Sequence, residues 1–236
     1  GGVCFFLWKK DDSGLCKVSA YSLDGLVSTM ERPLLEKDAE TFIRFNEAIS
    51  IVKKVRLVGE KSIMKQVSSR KPFGLPTTFK GKVNKFENGI TLYQNGGIGF
   101  IEKSEIINNS NIVDKFKVLI PRAGSGSDAF PHPILGKPFV VPPNTACTET
   151  YIVVGSYENE YLAKNLDSYI RTKFFRFMVL LHKSTQDASS KVYKFVPIQD
   201  FSEPWTDEKL YKKYGLTADE ISFIESMIRP MDLSDE

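Results

Sequence analysis

Two stretches of this chain combine cations, short hydroxyl side chains and aromatic rings in a way that suits the binding of a polyanion. The first is SSRKPFGLPTTFK over 68–80, and the second is TKFFRFMVLLHKSTQDASSKVYKFVPIQDF over 172–201. Arg and Lys position phosphates, while Ser and Thr offer shorter hydrogen bonds to phosphates or bases. Gln can pair bidentately with adenine, and Asp can accept from the cytosine amino group. On that chemistry Arg70, Lys71, Lys80, Lys82, Lys173, Arg176 and Lys183 are the candidates for gripping phosphates. Thr77, Thr78, Arg122, Thr185, Gln186 and Asp187 are the candidates for reading bases. Asp187 has an equal alternative as a local turn or helix-capping acid. The cations have theirs as groups that solvate helix and strand surfaces, and His182 reads as a packed or helix-end histidine.

No catalytic set accompanies these residues. The glycines of NGGIGF at 95–100 sit between two short strands without a helix to present its N-terminus to a ligand, so they read as a turn. Neither DEK at 207–209 nor IEK at 101–103 has the spacing of a metal-dependent nuclease, and no metal-binding carboxylate cluster emerges. Cys4, Cys16 and Cys147 are an odd number without a CxxC pair, and His132 and His182 are the two histidines. That pattern predicts structural thiols in a reduced, cytoplasmic setting and no zinc site.

The net charge of +3 over 236 residues conceals a strong segregation. From Lys53 to Lys85 there are ten Lys or Arg and one acid, Glu60; from Lys164 to Lys194 there are seven cations against Asp167 and Asp187. Beyond Phe195 ten acids face Lys209, Lys212, Lys213 and Arg229. The segregation predicts a face for a phosphate backbone and a separate acidic tail. Apolar runs such as 177–181 fall far short of the ~20 residues of a membrane span. The chain has no initiator Met and opens on GGVCFFLW, which suggests a piece of a longer protein.

The elements that must position the candidates read as an α+β fold. Short, mainly antiparallel strands accompany one long basic helix and a small C-terminal helical pair. Strands at 3–8 and 15–21 pattern as a hairpin. A helix is expected over 38–57, capped by Asp38, with Phe42, Phe45, Ile49 and Val52 on one face. Strands are expected at 77–83, 89–93 and 98–102 with Asn-Gly turns, then at 116–120. A Gly/Ser/Pro-rich loop follows over 122–138, then a strand pair at 139–141 and 148–154. The long helix spans 158–182, with Leu162, Leu166, Ile170, Phe174, Phe177 and Leu181 as its core stripe. Lys173, Arg176 and Lys183 fall within about an 80° arc away from that stripe. A strand at 192–198 and two short helices close the chain; Gly215 ends the first, and a Thr217/Glu220 capping box opens the second.

Several blocks, in order, resemble the C-terminal target-recognition region of Eco57I-type adenine-specific DNA methyltransferases from restriction–modification systems. They are GGVCFFLW at 1–8, SRKPFGL at 69–75, VPPNT at 141–145, TETY at 148–151, KFFRF at 173–177, TQD at 185–187, WTDEKLY at 205–211 and FIESMI at 223–228. The resemblance implies three parts: 1–30 as the edge of the catalytic domain, 31–200 as the DNA-binding domain, and 201–236 as an acidic helical tail. It also implies double-stranded DNA as partner, together with the protein's own N-terminal methyltransferase domain, and it allows a restriction subunit as a further one. S-adenosylmethionine would belong to that N-terminal part, which methylates the N6 of an adenine extruded from the duplex. The Asn-Pro-Pro-Tyr motif of such enzymes is absent, since VPPN at 141–144 lacks the leading Asn and the following aromatic. The expectation is a recognition module without catalytic residues of its own. The alternatives from other classes are a protein-interaction module that docks a restriction or translocation subunit, and a stand-alone nuclease.

Overall fold

The computed structural model describes residues 4–22, 25–37, 39–123, 130–183 and 185–231. Val3, Asp38, the loop positions 124–129 and Ser184, all named above, lie outside the described residues. The fold is α+β and divides into two compact units, Gly1–Ile49 and Ser50–Glu236.

In the first unit, β1 (Cys16–Ser22) pairs antiparallel with β2 (Gly25–Arg32), in register Cys16 to Arg32 and Val18 to Met30. The expected hairpin is therefore shifted. Residues 4–8 are not a strand, and the partner of β1 follows it in sequence. The guanidinium of Arg32 is buried here and donates to the Ile43 carbonyl at 2.5 Å and to Asn46 Oδ1 at 3.0 Å. Asn46 Nδ2 in turn donates to the Val18 carbonyl at 3.0 Å. These tertiary bonds hold the chain before residue 47 out of helix, so α1 covers Ala48–Leu57 rather than 38–57.

The second unit is built on two small sheets. One has the order β4 (Gly97–Ile101), β3 (Ile90–Gln94), β7 (Thr145–Cys147), with β3 and β7 parallel. The other has the order β6 (Phe139–Val141), β5 (Phe116–Pro121), β8 (Tyr151–Tyr157), all antiparallel. Leu92, Ala146 and Cys147 from the first sheet, Leu119, Val141 and Val153 from the second, and Phe73 and Leu75 from the preceding loop form one apolar core. The pair expected at 139–141 and 148–154 corresponds to β6 and β8, which share a sheet but flank β5 instead of pairing with each other; the consecutive strands β6 and β7 lie in different sheets. Between them Asn144 takes a left-handed φ of 61° and donates to the Gly89 carbonyl at 3.2 Å.

The long helix breaks. α2 (Glu160–Arg171) ends at Thr172, whose ψ of 149° is extended, and α3 (Lys173–Leu180) begins directly after it. Thr172 is a cap: its Oγ1 donates to the Tyr169 carbonyl at 2.7 Å and accepts the Phe175 amide at 3.1 Å. Asp207 completes the new N-terminus by accepting the Lys173 and Phe174 amides at 3.0 and 2.8 Å. A helix start has several amides without intrahelical acceptors, and one hydroxyl plus one carboxylate satisfy three of them here. α4 (Asp207–Lys213) and α5 (Ala218–Met227) pack on α3, with the Thr217/Glu220 capping box and a left-handed Gly215 as expected. The stretch 192–198 is not a strand. A short 3-10 turn (Ser190–Tyr193) precedes a single bridge to 61–63, made by Ile63 N to the Val196 carbonyl and Ile198 N to the Lys61 carbonyl.

Candidate nucleic-acid interface

β7 and β8 are joined by a tight turn at 148–150, where the Glu149 amide donates to the Leu75 carbonyl at 2.9 Å. That bond places the Glu149 carboxylate, 4% exposed, under the loop that carries Arg70 and Lys71. A buried carboxylate is expensive unless paired, and three cations converge on this one. Arg70 Nε donates to its Oε1, Lys71 Nζ lies 3.9 Å from Oε2, and Arg122 Nη2 lies 3.7 Å from Oε1. Arg122 is fixed further by Nε donating to the Glu149 carbonyl at 3.1 Å and Nη1 to Asp187 Oδ1 at 3.0 Å. The backbone holds the same pairing, with the Ala188 amide on the Arg122 carbonyl at 2.9 Å.

Four of the candidates, Arg70, Lys71, Arg122 and Asp187, thus form one cluster around a residue that sequence reasoning missed. Glu149 is the single charged residue between Lys137 and Glu158, and a lone acid in an apolar stretch is a signal that could have found it. The three cations exceed the two acids, and the excess faces outward: Arg70 is 67% and Lys71 46% exposed at the side chain. Lys71 also has a φ of 57°, a left-handed conformation that a lysine seldom adopts without a reason. Beside them, Thr185 is exposed and its Oγ1 accepts the Asp187 amide at 3.3 Å, while Gln186 is exposed. Asp187 is therefore both a turn residue and the partner of Arg122.

The segment 76–82 continues from Leu75, but not as a strand. Pro76 opens a turn closed by the Phe79 amide at 3.0 Å, which leaves Thr77 half-buried and Thr78 exposed. Lys80 is exposed, with its ammonium on the Asn95 carbonyl. Lys82 makes a backbone bridge to Phe100, and its ammonium lies 3.4 Å from Glu102 and 4.4 Å from the centroid of the Phe86 ring.

The three cations of 172–183 do not form the expected exposed arc. Arg176 is 1% exposed, and its guanidinium donates to the carbonyls of Thr172 (3.2 Å), Arg171 (3.1 Å) and Arg229 (2.6 Å). Burial pulls its pKa down to about 10, against the opposing pull of Asp207, Tyr211 and Glu225. Lys173 is paired with Glu225. Lys183 is half-buried and its pKa is lowered by that burial, with Asp187 acting the other way. The face away from the core stripe is covered by the C-terminal helices. Part of the charge segregation in the sequence is thus consumed internally, as Lys173–Glu225 and Lys54–Glu220 (2.6 Å) illustrate.

Among the described residues no group of three or more His, Cys, Asp or Glu side chains is placed to hold a metal ion. The glycines of 95–99 form the turn and the first residues of β4, with strand and not helix after them. A cleft of about 360 Å³ is lined by Lys65, Gln66, Ser68, Asn109, Ser156 and Tyr157 among others. His182 packs its ring against Phe195, 5.6 Å between centroids. No described helix is long and apolar enough to cross a membrane. The chain matches no protein-family model, no curated protein and no solved structure.

Proposed function

We propose that the chain is a duplex-DNA recognition module, and that it belongs to an N6-adenine DNA methyltransferase of a restriction–modification system. The observation that carries the reading is the outward-facing Arg70–Lys71 pair, set on the buried Glu149 beside Arg122, with Lys71 in a left-handed conformation. An exposed cation pair on a rigid anionic anchor suits phosphate contact. Its neighbours Asp187, Thr185 and Gln186 have the side chains that read base edges. Thr78, Lys80 and Lys82 would extend the contact along the same segment. Of the α3 cations, Arg176 has no part in this proposal, because its donors are already spent on carbonyls.

In this reading S-adenosylmethionine and the methyl transfer belong to a separate N-terminal methyltransferase domain, and the free thiols of Cys4, Cys16 and Cys147 suit a cytoplasmic setting. Phe5, Phe6, Leu7 and Trp8 are each more than two-thirds exposed, which suits coverage by another protein surface. That surface would be the methyltransferase domain; the second reading assigns it to a restriction subunit.

The test is the double variant Arg70→Ala/Lys71→Ala in fluorescence anisotropy on a mixed-sequence duplex. Two lost phosphate contacts should lower the steepness of log K against log salt by about two, and weaken binding on every sequence alike. An unchanged slope would remove this pair from the interface.

A further inference from the structure

Around the bridge at Lys82, ahead of β3, the chain runs through an exposed segment, 80–86, in which one apolar side chain is set among lysines. Val83 is 88% exposed, while Lys80, Lys82 and Lys85 around it are exposed as well. A single exposed valine is ordinary on a protein surface, so the inference rests on how this one is presented. The base of the loop is pinned against β4. The Lys82 amide donates to the Phe100 carbonyl at 2.8 Å, and the Phe100 amide donates to the Lys82 carbonyl at 2.9 Å. This approach requires glycine on both sides: a Cβ on Gly81 would lie 2.7 Å from the Phe100 nitrogen, and one on Gly99 would lie 3.0 Å from the Gly81 Cα. The Gly81 amide is held in addition by Gln94 Oε1 at 2.8 Å. Val83 is β-branched and stiff at χ1, so it is a short, exposed apolar side chain of restricted rotamer, next in sequence to Lys82 and two residues from Lys85.

Proteins that bind the minor groove place apolar side chains between base steps while cations meet the bordering phosphates. We propose that the 80–86 loop is such a wedge: Val83 enters the minor groove and partly unstacks one base step, and Lys82 and Lys85 meet the phosphates on either side. The proposal rests on the DNA-binding reading above and adds the groove, the deformation and the residue that causes it.

The experiment uses the full chain and a mixed-sequence duplex with 2-aminopurine in place of adenine at its TA steps, which unstack most easily. Anisotropy reports binding, and 2-aminopurine fluorescence, which rises on unstacking, reports the wedge. The expected result is a fluorescence rise on binding for the native chain. Val83→Ala should lose the rise while keeping the salt slope. Lys82→Ala/Lys85→Ala should lower that slope by about two. Binding without any rise, or an undiminished rise with Val83→Ala, overturns the wedge and leaves the DNA-binding reading intact. Absence of binding by the native chain at low salt overturns both.

Discussion

Arg176→Ala is expected to cost about 3–5 kcal/mol of folding stability, as removal of one member of a buried charged network does. The side chain lies in the layer between α3 and the C-terminal helices, and it is among the largest fully buried in the molecule. Its fork ties the carbonyl of Arg171 at the helix break to that of Arg229 beyond α5, and adds a second donor to the Thr172 carbonyl, which the Arg176 amide already reaches at 3.3 Å. Truncation takes the side-chain donor from the Arg171 and Arg229 carbonyls and opens a cavity, and both effects act in the same direction. Arg176→Met retains most of the volume but none of the donors, so it should recover only the cavity part of the loss. Urea denaturation of the three proteins measures this. A cost below about 1 kcal/mol for Arg176→Ala would show that the carbonyls find other donors.

Stability should also rise with pH over the window in which Lys117 titrates. This lysine lies in β5, fully buried, and its ammonium donates to the Lys115 and Val113 carbonyls at 2.8 and 3.1 Å. Burial lowers its pKa from 10.5 to about 8, against smaller opposing pulls from Cys147 and Asp114. A lowered folded-state pKa means that between pH 8 and 10.5 the unfolded chain holds a proton that the folded chain has released. Stability then increases with pH through that window, by up to about 3 kcal/mol in all, since one bound proton is worth about 1.4 kcal/mol for each pH unit crossed. Lys183, lowered by burial, contributes in the same sense. Above about pH 10, where an unperturbed tyrosine ionises, the sign reverses. Buried Tyr169 and Tyr193 have pKa values raised by burial, so the unfolded chain loses their protons first. The expected profile has a maximum between these two regimes. Lys117→Met should flatten the rise; at neutral pH its effect is small, because relief of the buried charge is offset by loss of the donor to the Lys115 carbonyl and of one of two donors to the Val113 carbonyl, which the Thr145 amide also reaches at 3.3 Å. A native profile that is level from about pH 8 to 9.5 would contradict this account of Lys117.

The parts of the fold that were legible in the sequence are those governed by local chemistry. β3 and β4 flank an Asn-Gly turn, β5 is a short run buried at four consecutive positions, the Thr217/Glu220 box satisfies its own amides, and Leu166, Ile170, Phe174, Phe177 and Leu181 form a buried stripe that runs across the break at Thr172. That break was not legible. Its second capping group, Asp207, comes from 34 residues away in the chain, so the periodic pattern alone favours an uninterrupted helix. The same limit applies to 77–83, where Gly81 and the Pro76 turn allow one bridge rather than a ladder. It applies again to 39–46, where the Ile43 carbonyl is taken by Arg32 instead of a helical amide.

The candidate site divides along the same line. Residue type singled out Arg70, Lys71, Arg122 and Asp187, but their convergence depends on Glu149, which a turn between two sheets delivers. Helical geometry placed Arg176 on an outer face, and it cannot register that α4 and α5 fold back over that face. Cations and acids far apart in sequence, such as Lys54 and Glu220, neutralise each other in the folded chain. Charge blocks therefore overstate the basic surface that remains for a partner.

Under the proposed function, the surface around Arg70, Lys71 and Arg122 meets the phosphates of duplex DNA. Its most direct test is fluorescence anisotropy of the native chain on a mixed-sequence duplex, over roughly 50 to 200 mM salt. Several phosphate contacts predict an affinity that falls about tenfold or more across that range. No binding at the lowest salt, or an affinity indifferent to salt, would contradict it.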